Sequence, residues 1–177
     1  MTEHAPDTFP ADAPPPGDYT LDPERTTIRA DVKAMFGLLT VHGTFRLRSG
    51  LVSIATDPAA SSVRASIETG SFASGNATRD ADVVSATLLD AKAYPEITFT
   101  GQGARRDGDS WVVPGSVTAH GTDVPAEVRL SDARPEAGGA RFRATARLDR
   151  TSFGVTKKKG MVGRTVDLVI EAVAQPA

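Results

Sequence analysis

The sequence predicts an all-β, antiparallel fold of eight or nine strands with a short helical insert, and three observations carry that reading. Apolar and polar residues alternate with a period of two through most of the chain. One interruption, Asn76–Tyr94, has helical spacing instead. Turn-forming residues punctuate the alternating runs. Charges on the alternate positions give each strand one wet face, which favours antiparallel pairing over a parallel sheet covered by helices.

Ile28, Ala30, Val32, Ala34 and Phe36 alternate with Arg29, Asp31, Lys33 and Met35. Val41, Gly43, Phe45 and Leu47 alternate with His42, Thr44, Arg46 and Arg48, and Leu51–Ile54 is a short further candidate. The rhythm returns in Val63–Ala65–Ile67, Ile97–Phe99, Trp111–Val113–Gly115–Val117–Ala119 and Ala126–Val128–Leu130. It closes with Phe142–Ala144–Ala146–Leu148 and Val166–Leu168–Ile170–Ala172. Turns are expected at Ser49–Gly50, Asp57–Pro58, Asp107–Gly108, Pro135 with Gly138–Gly139, and Lys159–Gly160. Between Asn76 and Tyr94, the spacing of Val83, Val84, Leu88 and Leu89 predicts one or two short helices, with Thr78 as candidate N-cap and Pro95 closing the segment.

A chain of 177 residues suits one domain, and its size implies burial of roughly 69% of the extended-chain surface, enough for a core without metal or disulfide staples. The absence of Cys removes disulfides, thiolate catalysis and Cys-ligated metal sites. A net charge of -2 argues against a general nucleic-acid-coating protein. Residues 1–17, rich in Pro, Ala and acids, are expected to form a disordered tail ahead of one barrel domain over 18–177. Charge is polarised: Met1–Glu24 carries six acids and no Lys or Arg, whereas Arg141–Arg164 carries eight basic residues against Asp149 alone. No apolar run approaches the roughly 20 residues of a membrane-spanning helix. The N-terminus lacks the features of a signal peptide, so a cytoplasmic location is expected.

Such a sheet either folds into a sandwich or closes into a barrel, and closure alone removes the edges. The inward-facing residues are largely Ala, Gly and Val. Small inward residues leave volume that a ligand would fill, because packed interiors do not tolerate an empty apolar hole. The alternative is an Ala-rich barrel or sandwich packed solid.

Several motifs, taken in order, resemble the YceI-like family of bacterial isoprenoid-binding proteins. They are Tyr19–Thr20–Leu21–Asp22–Pro23, Val41–His42–Gly43–Thr44–Phe45, Arg79–Asp80, Tyr94–Pro95–Glu96–Ile97–Thr98–Phe99, Gly115–Ser116–Val117–Thr118–Ala119–His120–Gly121 and Arg150–Thr151–Ser152–Phe153–Gly154–Val155. The resemblance runs from Tyr19 to Ala174. It implies a lipocalin-like antiparallel β-barrel of about eight strands whose lumen holds a long-chain lipid, typically a polyisoprenoid, with no covalent chemistry. The chain departs from that pattern at Asp82, where relatives commonly carry a histidine, and at Thr87, Leu88 and Leu89, where aromatic residues are common.

The candidate lipid-binding residues are the large apolar groups Phe36, Phe45, Phe72, Phe99, Trp111, Phe142 and Phe153. Each desolvated CH₂ of a ligand against them is worth about 0.8 kcal/mol. Arg150 and the Lys157, Lys158, Lys159 loop are candidate anchors for an anionic head group. The competing roles are a carbonyl clamp for Arg150 and a solvated turn for the lysines. His42 and His120 each precede a glycine and read as hydrogen-bonded structural residues, since two distant histidines make a poor zinc signature. Arg79–Asp80 reads as a capping or loop-pinning pair. No G-x-S-x-G elbow, P-loop or dinucleotide fingerprint is present, so no enzyme activity and no cofactor are expected. The expected partner is an isoprenoid or other long-chain lipid, with transient membrane-surface contact and a homodimer as further expectations. A solid-barrel, stress-associated interaction module is the alternative function, and a lipid-acting enzyme the third.

Overall fold

The computed structural model describes residues 7–177. Ten strands form one antiparallel sheet: β1 (Gly17–Leu21), β2 (Thr27–Ala34), β3 (Leu39–Ile54), β4 (Ser62–Ala73), β5 (Glu96–Gln102), β6 (Arg105–Asp107), β7 (Ser110–Ala119), β8 (Thr122–Glu136), β9 (Gly139–Asp149) and β10 (Val162–Pro176). One helix, α1 (Ala77–Val84), separates β4 from β5. Eight strands close a barrel in the order β2-β3-β4-β5-β7-β8-β9-β10, because β10 pairs with both β9 and β2. β1 extends the wall beyond the end of β2, with Thr20 opposite both Leu51 of β3 and Gln175 of β10. The short β6 pairs only with β7.

Period-two alternation maps onto the inside and outside of this wall. Ala65, Phe99 and Val117 lie opposite one another across β4, β5 and β7, all on the inner face. On the outer face, opposed charges meet across strand pairs: Arg147 of β9 donates to Asp167 of β10 at 2.7 Å, and the two residues are in register. Such exposed pairs contribute a few tenths of a kcal/mol to about 1 kcal/mol each.

Three expected boundaries move. The Ser49–Gly50 turn does not form; β3 runs unbroken through it with a register shift between Leu47 and Ser49. A Cβ on Gly50 would lie 2.5 Å from the Leu21 side chain, so Gly50 serves the close approach of β1 rather than a reversal. β2 ends at Ala34 instead of Phe36, because Met35 and Phe36 take left-handed backbone angles and turn the chain. Asn76, not Thr78, caps α1, its side chain accepting from the Arg79 amide at 3.0 Å. Asp80 then pins the preceding loop by accepting from both the amide and the hydroxyl of Ser74.

The barrel has two distinct ends. The helix end carries α1, the β2–β3 turn and the 150–161 segment, and the hairpin end carries the β6–β7 turn. Of the expected disordered tail, residues 1–6 lie outside the described residues. Residues 7–16 are placed against the hairpin end, where Pro14 is buried, Ala13 donates to the Pro10 carbonyl, and Tyr19 donates to the Pro15 carbonyl at 2.6 Å. Prolines suit this position because a strap without ladder bonds needs few amide donors.

Candidate functional site: an apolar lumen

All eight closing strands contribute side chains to one internal cavity of about 340 Å³. Its wall includes Ile28 of β2, Leu47 of β3, Ala65 and Ile67 of β4, Phe99 of β5, Val117 of β7, Val128 of β8, Ala144 and Ala146 of β9, and Leu168 and Ile170 of β10. Along β9 the lining runs from Phe142 to Leu148, roughly 20 Å of strand at about 3.4 Å per residue. The cavity exists because β9 and β10 offer Ala144, Ala146 and Ala172 where bulkier residues would meet across the tube. A shallow groove open to solvent lies outside the barrel between Arg46, Arg48, Glu68 and Pro95.

Phe99 owes its position to a glycine pair. Gly101 and Gly115 face each other across β5 and β7. A Cβ on Gly115 would stand 2.8 Å from the Phe99 ring and 2.2 Å from the Thr100 carbonyl oxygen, and one on Gly101 would stand 3.0 Å from the same ring. The ring therefore packs over the bare backbone of the wall.

The helix end of the tube is closed by a second apolar cluster, in which Leu88, Val117, Ala119, Phe153 and Val155 are buried and Val83 and Leu89 pack against them. Leu88, which stands where aromatic residues were expected from the resemblance, is part of this plug. At the hairpin end, Phe9, Pro10, Ala13 and Pro14 join the lining, and the Phe9 ring lies 4.7 Å from that of Trp111. The polar residues of the lining there include Asp12, Ser53, Asp109, Ser131 and Asp132, of which Ser53 donates to Asp18, Ser131 to the Arg143 carbonyl, and Asp132 pairs with Arg134. No Lys or Arg belongs to the lining among the described residues.

The aromatic candidates separate accordingly. Phe99, Trp111 and Phe142 line the cavity. Phe45 and Phe72 stack on each other at 5.3 Å, half-buried and outside the cavity lining, with Phe72 covering Gly43. Phe153 belongs to the plug, and Phe36 is 80% exposed on the β2–β3 turn. The residues that periodicity passed over are Phe9 and Pro14, because a Pro-rich segment offers no alternation to read.

None of the candidate head-group anchors lines the cavity. Arg150 is buried, and its guanidinium donates to the carbonyls of Gly163, Val155, Lys157 and Val162 at 2.8–2.9 Å. It is a carbonyl clamp holding the 155–163 segment onto the barrel, and burial lowers its pKa. Asp149 supports the clamp by accepting from the amide and hydroxyl of Thr151 and from Arg164 Nε at 2.6 Å. Those bonds hold its carboxyl below the ordinary carboxylate range, the Thr151 hydroxyl contributing most. Lys157, Lys158 and Lys159 are exposed at the helix end, away from the Asp12 and Asp109 rim, and Lys158 pairs with Asp82. Asp82, the departure from the family histidine, thus ties α1 to the lysine loop.

His42 and His120 each hydrogen-bond within the protein. His120 Nδ1 lies 3.1 Å from the Phe153 carbonyl with its ring 4.9 Å from that of Tyr94, while exposed His42 bonds Asp31 at 2.6 Å. Burial would raise the Asp31 pKa, but its bonds to His42 and Arg29 outweigh that effect and lower it. Among the described residues no group of three His, Asp or Glu side chains is placed to hold a metal ion.

Comparison with known proteins agrees with this architecture. The chain is 32% identical over 161 residues to a UPF0312 protein of Pseudomonas putida, covering 86% of this chain and 83% of that protein. The fold matches BcnA of Burkholderia cenocepacia with a TM-score of 0.75 at 21% identity, over 86% of this chain and 98% of that one. It also matches a polyisoprenoid binding domain from Saccharophagus degradans implicated in plant cell wall breakdown, with a TM-score of 0.67 at 14% identity, over 90% and 98% of the two chains. The model of the YceI-like domain matches residues 19–174, from the first strand to the last, and the chain belongs to that family.

Proposed function

We propose that the protein encloses one long-chain apolar lipid in its lumen, a polyisoprenoid with a neutral, hydrogen-bonding head group, and performs no covalent step on it. The observation that carries this reading is the cavity of about 340 Å³ walled by apolar side chains from every barrel strand. Its size is near the lower end of the 300–1,000 Å³ typical of small-molecule sites. Desolvation of the chain supplies the affinity, at about 0.8 kcal/mol per buried CH₂. The resemblance in fold to a protein described as a polyisoprenoid binding domain supports the ligand class.

Head-group chemistry follows from the rim. The hydroxyls of Ser53 and Ser131 and the carboxylate of Asp132 are engaged by Asp18, the Arg143 carbonyl and Arg134, which leaves the carboxylates of Asp12 and Asp109 at the rim. These groups suit an alcohol or another hydrogen-bond donor and repel a diphosphate. A chain longer than the lumen would have to displace the strap from Phe9 to Pro14.

The single tryptophan, Trp111, lines the cavity and reports its occupancy. Titration with a polyprenol should change Trp111 emission saturably at one ligand per chain, and mass spectrometry of the gently purified protein should show a co-purified hydrophobic mass. Absence of both signals would remove the reading.

A further inference from the structure

We propose that the β2–β3 tip and the adjoining lysine loop form a docking face for an anionic lipid bilayer. Among the described residues the exposed large apolar side chains are Met35 (46%), Phe36 (80%), Leu38 (81%), Leu39 (50%) and Met161 (49%). All five sit at the helix end on two segments tied together by backbone bonds: Met35 donates to the Met161 carbonyl at 3.0 Å and Phe36 to the Gly160 carbonyl at 2.6 Å. The Phe36 ring lies over Gly160, where a Cβ would stand 2.4 Å from it. Scattered exposed apolar residues need no explanation, but their concentration at one apex does.

The turn holds this display against its own backbone preference. Met35 and Phe36 have φ values of 49° and 57°, a region that bulky residues rarely occupy and that Gly or Asn usually fills in hairpins. Strain of this kind persists where the surroundings enforce it and clusters at sites of function.

Charge selects the occupant. Lys33, Lys157 and Lys159 flank the apex, exposed or half-exposed and without a carboxylate partner among the described residues. At the opposite end the charges are mixed, with Asp7 and Asp12 of the acidic opening segment beside Arg105, Arg106 and Arg129, so the lysines without carboxylate partners make the helix end the one an anionic surface attracts. Three lysines alone fall short of stable anchoring, which takes two signals, and the apolar side chains supply the second. A turn apex is also too small for the roughly 800 Å² per partner of a stable protein interface, whereas a few inserted side chains suffice for reversible membrane contact.

The test is co-sedimentation of the full chain with vesicles of phosphatidylcholine alone or mixed with phosphatidylglycerol. Neither contains an isoprenoid, so failure here leaves the lumen reading intact and is distinguishable from failure of the Trp111 titration. The wild type should bind the mixed vesicles, bind phosphatidylcholine weakly, and lose affinity as salt rises. The double variant Lys157→Ala, Lys159→Ala should lower partitioning by roughly tenfold or more. Phe36→Ser with Leu38→Ser, at exposed positions and checked for an unchanged melting temperature, should lower it at least as far. Phe36→Trp should give a blue shift in emission on mixed vesicles. Absence of wild-type binding, wild-type binding by the serine double variant, or no Phe36→Trp shift would each overturn the proposal. A wild-type dimer that the serine substitutions split, with no vesicle binding, would instead make the apex a contact between copies and also overturn it.

Discussion

The Phe9 ring packs against Trp111 with centroids 4.7 Å apart and planes tilted by 53°, joining a segment outside the sheet to the start of β7 at the hairpin end of the barrel. Aromatic pairs of this geometry contribute about 0.5–1.5 kcal/mol beyond their buried area. A contact of that size is comparable to the burial of one or two CH₂ groups of a ligand, about 0.8 kcal/mol each. Phe9→Ala should speed ligand association, extend the chain length accepted, and shift Trp111 emission to the red in the unliganded protein. Stopped-flow fluorescence with prenols of increasing length measures all three, and unchanged association rates would show that the strap does not gate the lumen.

Filling the tube separates carriage from folding. Ala144 lies on the inner face of β9 with empty volume beside it. Ala144→Phe should abolish the saturable Trp111 signal and leave the melting temperature equal or higher, since added apolar volume replaces a void. Retained affinity would place the ligand elsewhere.

Arg150 is a stability residue by its contacts. Arg150→Met removes four donors and leaves the carbonyls of Val155, Lys157, Val162 and Gly163 without them. Unsatisfied buried acceptors cost about 1–3 kcal/mol each before relaxation, so a net loss of about 3 kcal/mol is expected in urea unfolding. Lipid affinity of the folded fraction should be preserved, because Arg150 does not line the lumen.

The Asp149 carboxylate makes that same corner sensitive to acid. Its pKa is lowered in the folded protein by the Thr151 and Arg164 bonds, so its contribution is complete above the unfolded value of about 3.9 and is lost as pH falls through the lowered folded value. The melting temperature of the wild type should exceed that of Asp149→Asn at pH 6. The difference should shrink progressively below about pH 4. A constant difference across that range would show that the carboxylate charge is not what stabilises the turn.

The barrel and much of its inner wall were legible before any coordinates, because a period of two assigns each strand residue to one face regardless of which strand lies beside it. Phe45, Phe99 and Phe142 fit an inward face best by alternation, and Phe99 and Phe142 line the lumen, whereas Phe45 packs against Phe72 outside the lining. Alternation failed where the chain leaves the ladder. Phe36 continues the rhythm of β2 in sequence but sits two residues beyond its last paired residue, on a turn whose direction depends on bonds to Met161 and Gly160. Phe153 is drawn into the plug by the Arg150 clamp, whose four carbonyl partners lie 5 to 13 residues away and share no motif.

By itself, the sequence determined the β architecture, the helical insert and the small size of the inward residues, all of which are local properties of spacing and composition. Tertiary structure alone decided whether Ala144, Ala146 and Ala172 leave a void, which end is plugged and which is strapped, and that the lysines stand at the opposite end from the polar rim. Those outcomes depend on how distant segments meet, and the residues that meet are governed by volume and hydrogen-bond satisfaction rather than by any pattern along the chain.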